Sequence, residues 1–460
     1  MSRALVTFIL GIAATGIAAT RSHSAEPTFV GSSSCATSTC HGGVIDQGPA
    51  WNHAASKWMA NDPHRGAGLL LLDDDSRAIV QRLDPESATS SEAFNQVLQE
   101  RCITCHATPS GSEIAETGLL DEATLHEGVS CEACHGAASK WQERHVLEAW
   151  KGPRRFEPQT GMIDTESVIG RAKSCVRCHV GSRSADGRTR DMNHDLIAAG
   201  HPALRFDLLI YSENLPVHWD VNADTEVKFN ESPIRTRSVG RSVSLAAAAA
   251  LSGERASEHL KDSTVPWPEL ADYDCFACHQ SLSIAEFKLP PSDRSKSPLR
   301  VSLGLPVWNT WYTTNRVELR QQKARLEKLS PHLSRPSDVV EVAASITRAY
   351  VKQANNMAAK TFDPTETLKA TIGQLKSAPP ADWHQAAVQF LEIDAAIRQF
   401  ELDPKTRAGA KPYRTALTEV ERLLRFDANR EAGSVADLHS PSRFSPNQFR
   451  KTVLSIFSKL

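Results

Sequence analysis

The sequence predicts a mainly α-helical chain with a loop-rich N-terminal part and a C-terminal bundle of helices. Two observations support this fold class. All ten cysteines lie in short motifs separated by irregular gaps, so the part that holds them is not a tandem repeat. Beyond about residue 310 there is no cysteine, and apolar residues recur at intervals of three and four, which is the period of an α-helix.

Every cysteine belongs to a pair that is followed at once by a histidine. Four pairs have the form CxxCH, and the first is a stretched CxxxxCH. CxxCH is the attachment motif of c-type haem: the two thiols form thioethers with the haem, and the histidine ligates the iron. We therefore predict five haems c. The predicted thioether residues are Cys35 and Cys40, Cys102 and Cys105, Cys131 and Cys134, Cys175 and Cys178, and Cys275 and Cys278, and the predicted proximal ligands are His41, His106, His135, His179 and His279.

Other uses of paired cysteines explain less of this pattern. Structural zinc sites take four ligands, so five pairs do not divide evenly among them, and they do not require a histidine after each pair. A disulfide framework does not require the histidine either. A disulfide or a degenerate site remains the alternative for the stretched first motif.

The chain has 17 histidines, which is more than a second ligand for each predicted iron requires. Sequence context favours His64, which follows Asp-Pro, together with His145 and His201 as distal ligands. The remaining candidates are His53, His194, His126 and His218. Counting cannot decide whether one iron keeps an open position, and that matters because six-coordinate haems carry electrons while an open haem can bind substrate.

Composition excludes two classes of protein. Hydrophobic residues are 40%, charged residues 23% and the formal net charge is −2, which excludes a wholly disordered chain and the basic footprint of a nucleic-acid binder. Aromatic residues are only 6%, and flat apolar porphyrins would fill part of the interior in their place.

The first 25 residues have the pattern of a cleaved signal peptide. Arg3 precedes an apolar stretch over residues 4–19, and small residues follow. An uncleaved membrane anchor is the alternative, although the stretch is short for a span. We expect a soluble periplasmic protein with a haem-binding domain over 26–300 and a helical domain over 301–460, with no membrane span after cleavage.

Capping patterns and one apolar stripe predict the C-terminal helices. Asp363-Pro364 and Ser445-Pro446 are typical of helix starts. The stripe follows the helical period: Trp383, Ala386, Phe390, Ile393, Ile397 and Phe400. This haem-free bundle is a candidate cover for the haems or a subunit interface of a homo-oligomer.

Residues 29–285 resemble the multihaem cytochrome c family of the cytochrome c-554 type, the tetrahaem cytochrome of nitrifying bacteria. The strings that carry the resemblance are VGSSSC with HGG, DPH, EGVSCEACHG, DMNHDLIAAGHP and DYDCFACH. The resemblance implies helices and loops wrapped around closely packed haems. Two features depart from the tetrahaem pattern: the first motif is CxxxxCH, and a fifth motif is added at Cys275.

The resemblance also implies particular ligands. His145 would reach back to the first haem, and His53 or His64 would serve a later one. The second haem, on His106, would keep one open face, as in the tetrahaem protein.

Two functions follow from these predictions. The first is an electron carrier that exchanges electrons with redox partner proteins and binds no nucleic acid. The alternative is a haem enzyme that acts on small nitrogen or sulfur compounds at one open iron. The lysine-ligated CxxCK motif of pentahaem nitrite reductases is absent, which argues against that enzyme.

Overall fold

The computed structural model describes residues 26–108, 122–183, 189–219, 232–272, 335–380, 383–425 and 444–458. The predicted signal peptide, the fifth motif at Cys275, Cys278 and His279, and the predicted boundary near residue 300 lie outside the described residues. The described chain is mainly helical and rich in loops, as predicted. One short antiparallel ribbon pairs Ser182–Arg183 (β1) with Thr189–Arg190 (β2), with Ser182 opposite Arg190.

Short helices make up the first half of the described chain. They are α1 (Ala54–Asn61), α2 (Asp74–Leu83), α3 (Ser91–Val97), α4 (Ile103–His106), α5 (Glu122–Glu127), α6 (Cys131–His135), α7 (Val168–His179), α8 (His194–Ala198) and α9 (Leu208–Glu213). Single turns lie before and between them: the 3-10 turns Ser32–Ser34, Ala50–His53, Pro63–Gly66, Leu69–Leu72, Pro85–Ala88, Glu148–Trp150, Pro153–Phe156 and Pro158–Thr160, and one π-helical turn, Leu98–Cys102. A further 3-10 turn, Leu270–Asp272, lies later in the chain.

Side-chain caps start several of these short helices. The Asp73 carboxylate accepts the N–H of Ser76 at 2.7 Å at the start of α2, and the Ser167 hydroxyl accepts the N–H of Gly170 at 3.1 Å at the start of α7. Caps of this kind satisfy backbone donors that the first helical turn leaves unpaired. Local caps therefore compensate in part for the small apolar faces that such short helices offer.

A 29-residue helix, α10 (Pro233–Lys261), joins the two halves of the molecule. The Ser232 hydroxyl caps it, and five consecutive alanines at 246–250 lie inside it. Val239 and Val243 of α10 pack with Val176 of α7, the helix that ends in the fourth cysteine motif. Leu245 and its neighbours in α10 belong to the core of the C-terminal helices instead.

The C-terminal helices are α11 (Pro336–Ala359), α12 (Pro364–Ser377), α13 (Trp383–Leu402), α14 (Arg407–Leu424) and α15 (Pro446–Ile456). The Asp363 and Ser445 side chains cap α12 and α15, and Pro364 and Pro446 open those helices, as the sequence predicts. The predicted stripe along α13 faces one continuous core, with Trp383, Ala386, Ile393 and Ile397 buried. None of the helices in the described ranges is long and apolar enough to cross a membrane.

A buried ion cluster fixes α10 to α13. The guanidinium of Arg237 is 2% exposed, lies 2.9 Å from the Asp207 carboxylate (Nε to Oδ2) and contacts Glu392. Arg241 shares the same Glu392 oxygen at 2.5 Å. Burial together with the neighbouring Arg237 charge lowers the pKa of Arg241 to about 9, although the Glu392 and Asp207 charges oppose this shift. Removing one member of such a cluster leaves a buried charge without its partner.

Candidate metal centres

Helix ends present the histidines of three of the four described motifs. His106, His135 and His179 are the last residues of α4, α6 and α7. The stretched first motif is a loop instead, closed by a hydrogen bond from the N–H of His41 to the carbonyl of Cys35 at 3.2 Å. Two extra residues therefore still leave the histidine next to its second cysteine.

Four pairs of histidine rings face one another at nearly one spacing. The centroids are 6.0 Å apart for His41 and His145, 6.0 Å for His64 and His179, 6.3 Å for His106 and His201, and 6.3 Å for His135 and His218. Each pair joins one motif histidine to one histidine from elsewhere in the chain. The interplanar angles range from 24° to 86°, so ring stacking does not account for the common spacing.

The spacing fits two imidazoles on opposite sides of one metal ion. A metal–imidazole bond is about 2.0–2.1 Å and the nitrogen lies roughly 1.1 Å from the ring centre, so the centroids of two such rings are about 6.3 Å apart. The four pairs lie within 0.3 Å of this value, since they span 6.0–6.3 Å. The residues present therefore fit an iron that has an axial histidine on each face.

Hydrogen bonds leave the outer ring nitrogen of most of these histidines available to a metal. In five rings Nδ1 lies 2.5–3.0 Å from a backbone carbonyl. A carbonyl can only accept, so Nδ1 carries the hydrogen and Nε2 keeps its lone pair. The five bonds run from His41 to Trp51, His106 to Ala67, His145 to Gln142, His201 to Pro202 and His218 to Pro216.

His64 has a carboxylate in the corresponding place. Its Nδ1 lies 2.9 Å from Oδ1 of Asp62, which also accepts the His64 backbone N–H. A carboxylate behind a ligating histidine fixes the ring and makes it a better donor to the metal.

Burial favours the neutral form of His106, His135 and His179. It is the main cause that lowers the pKa of His135 to about 4 and the pKa of His179 to about 4, and nearby histidines add to both shifts. Burial also lowers the pKa of His106. A histidine must be neutral to bind a metal, so these sites need little deprotonation before they ligate.

Thiol contacts join the motifs in two couples. The thiols of Cys35 and Cys131 hydrogen-bond, which lowers the pKa of Cys35 to about 7 and raises the pKa of Cys131. The thiols of Cys105 and Cys178 do the same, which lowers the pKa of Cys178 to about 6. The first motif thus lies against the third, and the second against the fourth.

Further contacts join the two couples to each other. The guanidinium of Arg177, inside the fourth motif, donates to the carbonyl of Ala133, inside the third. The Ser174 hydroxyl reaches the Cys134 carbonyl at 3.5 Å. The described motifs therefore lie in the spatial order first, third, fourth, second.

A buried carboxylate fastens the first and third motifs together. Glu132, inside the third motif, is 2% exposed and accepts the backbone N–H groups of Val30, Gly31 and Ala138 at 2.8–3.0 Å. Gly136, just after the same motif, has a φ of +87°, and a Cβ there would lie 2.0 Å from the carbonyl oxygen of Gly161. Only glycine fits this turn.

The segment before the fifth motif is anchored beside the second. The Arg190 side chain donates to the Thr104 carbonyl at 2.8 Å, inside the second motif. The next residue, Asp191, pairs with Arg255, which also holds Asp272, three residues before Cys275. Asp272, the last described residue before the fifth motif, is therefore linked through Arg255 and Asp191 to the side of the second motif.

The histidines that the sequence offers as distal ligands lie in different places in the structure. His64, His145 and His201 each face a motif histidine, whereas His53 is buried, takes no part in the four described pairs and has an Nδ1 without a hydrogen-bond partner. His194 starts α8, where its N–H donates to Glu269 at 2.8 Å. The resemblance implies an open face at the haem of His106, but in the structure the His201 ring lies opposite His106.

His218 is the partner that the sequence did not favour. It stands opposite His135, and its Nδ1 bonds to the carbonyl of Pro216 two residues earlier. A nearby proline carbonyl also serves His201, from Pro202. Such a carbonyl is a weak local signal, and the long separation of His218 from the third motif hid the pairing.

Residues 34–136 match the family described as cytochrome c554 and c-prime. The matched segment spans the first three cysteine motifs, and its similarity supports a c554-type multihaem cytochrome that transfers electrons and binds haem c covalently. No curated protein and no solved structure shows significant similarity to the chain.

Proposed function

We propose that the chain is an exported periplasmic electron carrier with five haems c. The observation that carries the proposal is the common spacing of 6.0–6.3 Å across four histidine pairs, each pair including one motif histidine. When bound, each haem supplies an iron that takes up and releases one electron.

The proposed ligand pairs are His41 with His145, His106 with His201, His135 with His218, and His179 with His64. For the fifth haem, His279 is the proposed proximal ligand. His194 is a proposed distal ligand because it contacts Glu269, close to the fifth motif. His259 is a second choice, since its Nδ1 has the same kind of bond, 2.6 Å to the Val265 carbonyl.

Occupied faces favour a carrier over an enzyme. Six-coordinate haems carry electrons, while substrate binding needs an open position. The resemblance implied an open face on the second haem, and the His201 ring stands on that side of His106. Catalysis on small nitrogen or sulfur compounds therefore has less support at this iron than electron transfer has.

The thiol and backbone contacts also support a relay. They bring the ligand pairs close in the order first, third, fourth, second, and the anchored segment before Cys275 would add the fifth at the end next to the second. Redox partners would then exchange electrons at the first and the fifth sites, which are the ends of this series.

Mass spectrometry of the purified holoprotein tests the haem count. We expect five increments of about 616 Da, one for each motif. A mass without haem would contradict the proposal as a whole, while four increments would leave one motif unloaded and contradict the count.

Electron paramagnetic resonance tests the ligands. We expect low-spin ferric signals from the four described sites, and one additional high-spin signal in His201→Ala, because its iron loses one axial ligand. His126→Ala is the matched control, since that exposed ring contacts the Glu122 carboxylate at 3.6 Å and faces no motif histidine in the described ranges. A His201→Ala spectrum identical to the native one would contradict the assignment.

A further inference from the structure

Trp141 is a buried hydrogen-bond donor without an acceptor, beside one proposed haem ligand. Its side chain is 7% exposed, and its indole Nε1 has no hydrogen-bond partner among the described residues. Buried indole N–H groups usually find an acceptor, because leaving one unpaired is unfavourable. Two other buried tryptophans follow this rule, since Trp58 donates to the Val129 carbonyl at 3.2 Å and Trp383 to the Leu424 carbonyl at 2.9 Å. The half-buried Trp150 has an unpaired indole N–H among the described residues as well.

The Trp141 ring is held against His145. The ring centroids are 5.6 Å apart and the planes are perpendicular, at 90°. The backbone fixes this contact, because the Trp141 carbonyl accepts the N–H of His145 at 2.9 Å. The indole that carries the unpaired N–H is therefore packed against the ring that faces His41.

We propose that the indole N–H of Trp141 donates a hydrogen bond to a propionate of the haem held by His41 and His145, and that it raises the reduction potential of this haem. This inference rests on the proposed function. A haem carries two propionates, and a bond from an N–H to a carboxylate is stronger than one between neutral groups.

The direction of the effect follows from charge. An ionised propionate near the iron stabilises the ferric state, and a donor that draws on its negative charge weakens this stabilisation. The same bond favours the ionised carboxylate and so lowers its pKa. Trp141 is thus a positioning and tuning residue that does not itself ligate the iron.

Trp141→Phe in the full-length holoprotein tests the inference. We expect the potential of one haem to fall and the pH-dependent step of that potential to move to higher pH, because the propionate loses its donor. Trp58→Phe is the matched control: the change is the same, the residue is 8% exposed, and its N–H already has a protein acceptor. We expect the control to keep all native potentials.

A second variant removes only the donor. Benzothienylalanine at position 141 keeps the size and shape of indole but has sulfur in place of N–H, so it preserves the packing on His145 even if Trp141→Phe does not load haem. The inference is overturned if this variant keeps the native potentials and pH profile, which is also the result expected if the N–H meets only water.

The mass of the peptide that contains residues 35–41 distinguishes a wrong role for Trp141 from a missing first haem. If the peptide carries haem and the potentials do not change, only the role of Trp141 is wrong. If the peptide carries no haem, the first site of the proposed function fails and the inference fails with it.

Discussion

The cysteine-rich region before residue 220 and the helices after residue 335 solve the problem of burial differently. Helices α11 to α15 have 11–24 residues and share one continuous core. Helices α1 to α9 have 4–12 residues, and their main local core is a small cluster around Leu98 and Ile103. Long amphipathic helices bury their apolar faces against each other, whereas such short ones cannot.

Exposed apolar side chains show the same difference. In the described residues, the C-terminal helices have two, Val351 and Leu402. Several in the cysteine-rich region adjoin the histidine pairs: Trp51 lies 6.1 Å from His41, Val146 and Leu147 follow His145, Tyr211 lies 4.8 Å from His179, and Val217 precedes His218. A flat apolar porphyrin between the paired rings would cover such side chains, so this region depends on its cofactor as the other depends on protein packing.

The largest expected effect comes from preventing haem attachment. In the full-length chain made without haem, we expect the amides of residues 26–219 to exchange rapidly with solvent, while those of residues 335–458 keep their protection. The reason is that only the second region has a continuous protein core. Hydrogen exchange with mass spectrometry measures both regions at once, against the holoprotein. Equal protection in both would contradict the comparison.

The next effect concerns the joint between the regions. Arg237→Ala leaves Asp207 and Glu392 with less of their compensating charge in a buried site, and we expect the free energy of unfolding to fall by about 3–5 kcal/mol. Urea denaturation followed by circular dichroism measures it. Arg422→Ala is the control, because it breaks only an exposed pair with Glu419 and should cost less than about 1 kcal/mol. Equal losses of unfolding free energy in the two variants would show that the buried cluster stabilises the fold no more than an exposed ion pair does.

A smaller effect is expected inside the cysteine-rich region. Glu132→Ala leaves the N–H groups of Val30, Gly31 and Ala138 without their acceptor. We therefore expect the free energy of unfolding to fall by about 3 kcal/mol and the amide hydrogens of Val30 and Gly31 to exchange faster with solvent. Glu132→Gln keeps one acceptor oxygen and should lose less. Glu143→Ala, an exposed neighbour, is the control. If Glu132→Ala leaves exchange at Val30 unchanged, the carboxylate does not join the first and third motifs.

The smallest effect is a dependence on pH. The pKa values of His135 and His179 are lowered to about 4 in the folded chain, against an ordinary value of about 6.5. As the pH falls from about 6.5 to about 4, the unfolded chain takes up these protons and the folded chain does not, so the free energy of unfolding decreases. Urea denaturation of the holoprotein at several pH values should show this decrease, because an iron bound to these two rings would likewise keep the protons off them in the folded state. A constant stability across this window would contradict the shifts.

Local patterns predicted much of this molecule. The motif cysteines and histidines follow from adjacent residues, and the start of α12 at Asp363-Pro364 and the stripe along α13 follow from short-range periodicity. The sequence also favoured three of the four histidines that face the described motif histidines. These predictions concern interactions within a few residues along the chain.

Long-range contacts could not be predicted in the same way. His218 has no motif of its own, and only the packing of distant segments brings it opposite His135. The open face expected at His106 came from a resemblance, and the chain brings His201 there. The Arg237 cluster likewise depends on α9, α10 and α13 meeting, which no local pattern encodes.

Helix α10 packs against both the cysteine-rich region and the C-terminal helices. At 1.5 Å per residue, its 29 residues form a strut of about 43 Å. It touches the helix of the fourth motif through Val239 and Val243 and the C-terminal helices through Leu245. A displacement of the C-terminal helices would therefore be transmitted along α10 to α7, the helix that ends at His179 of the fourth motif.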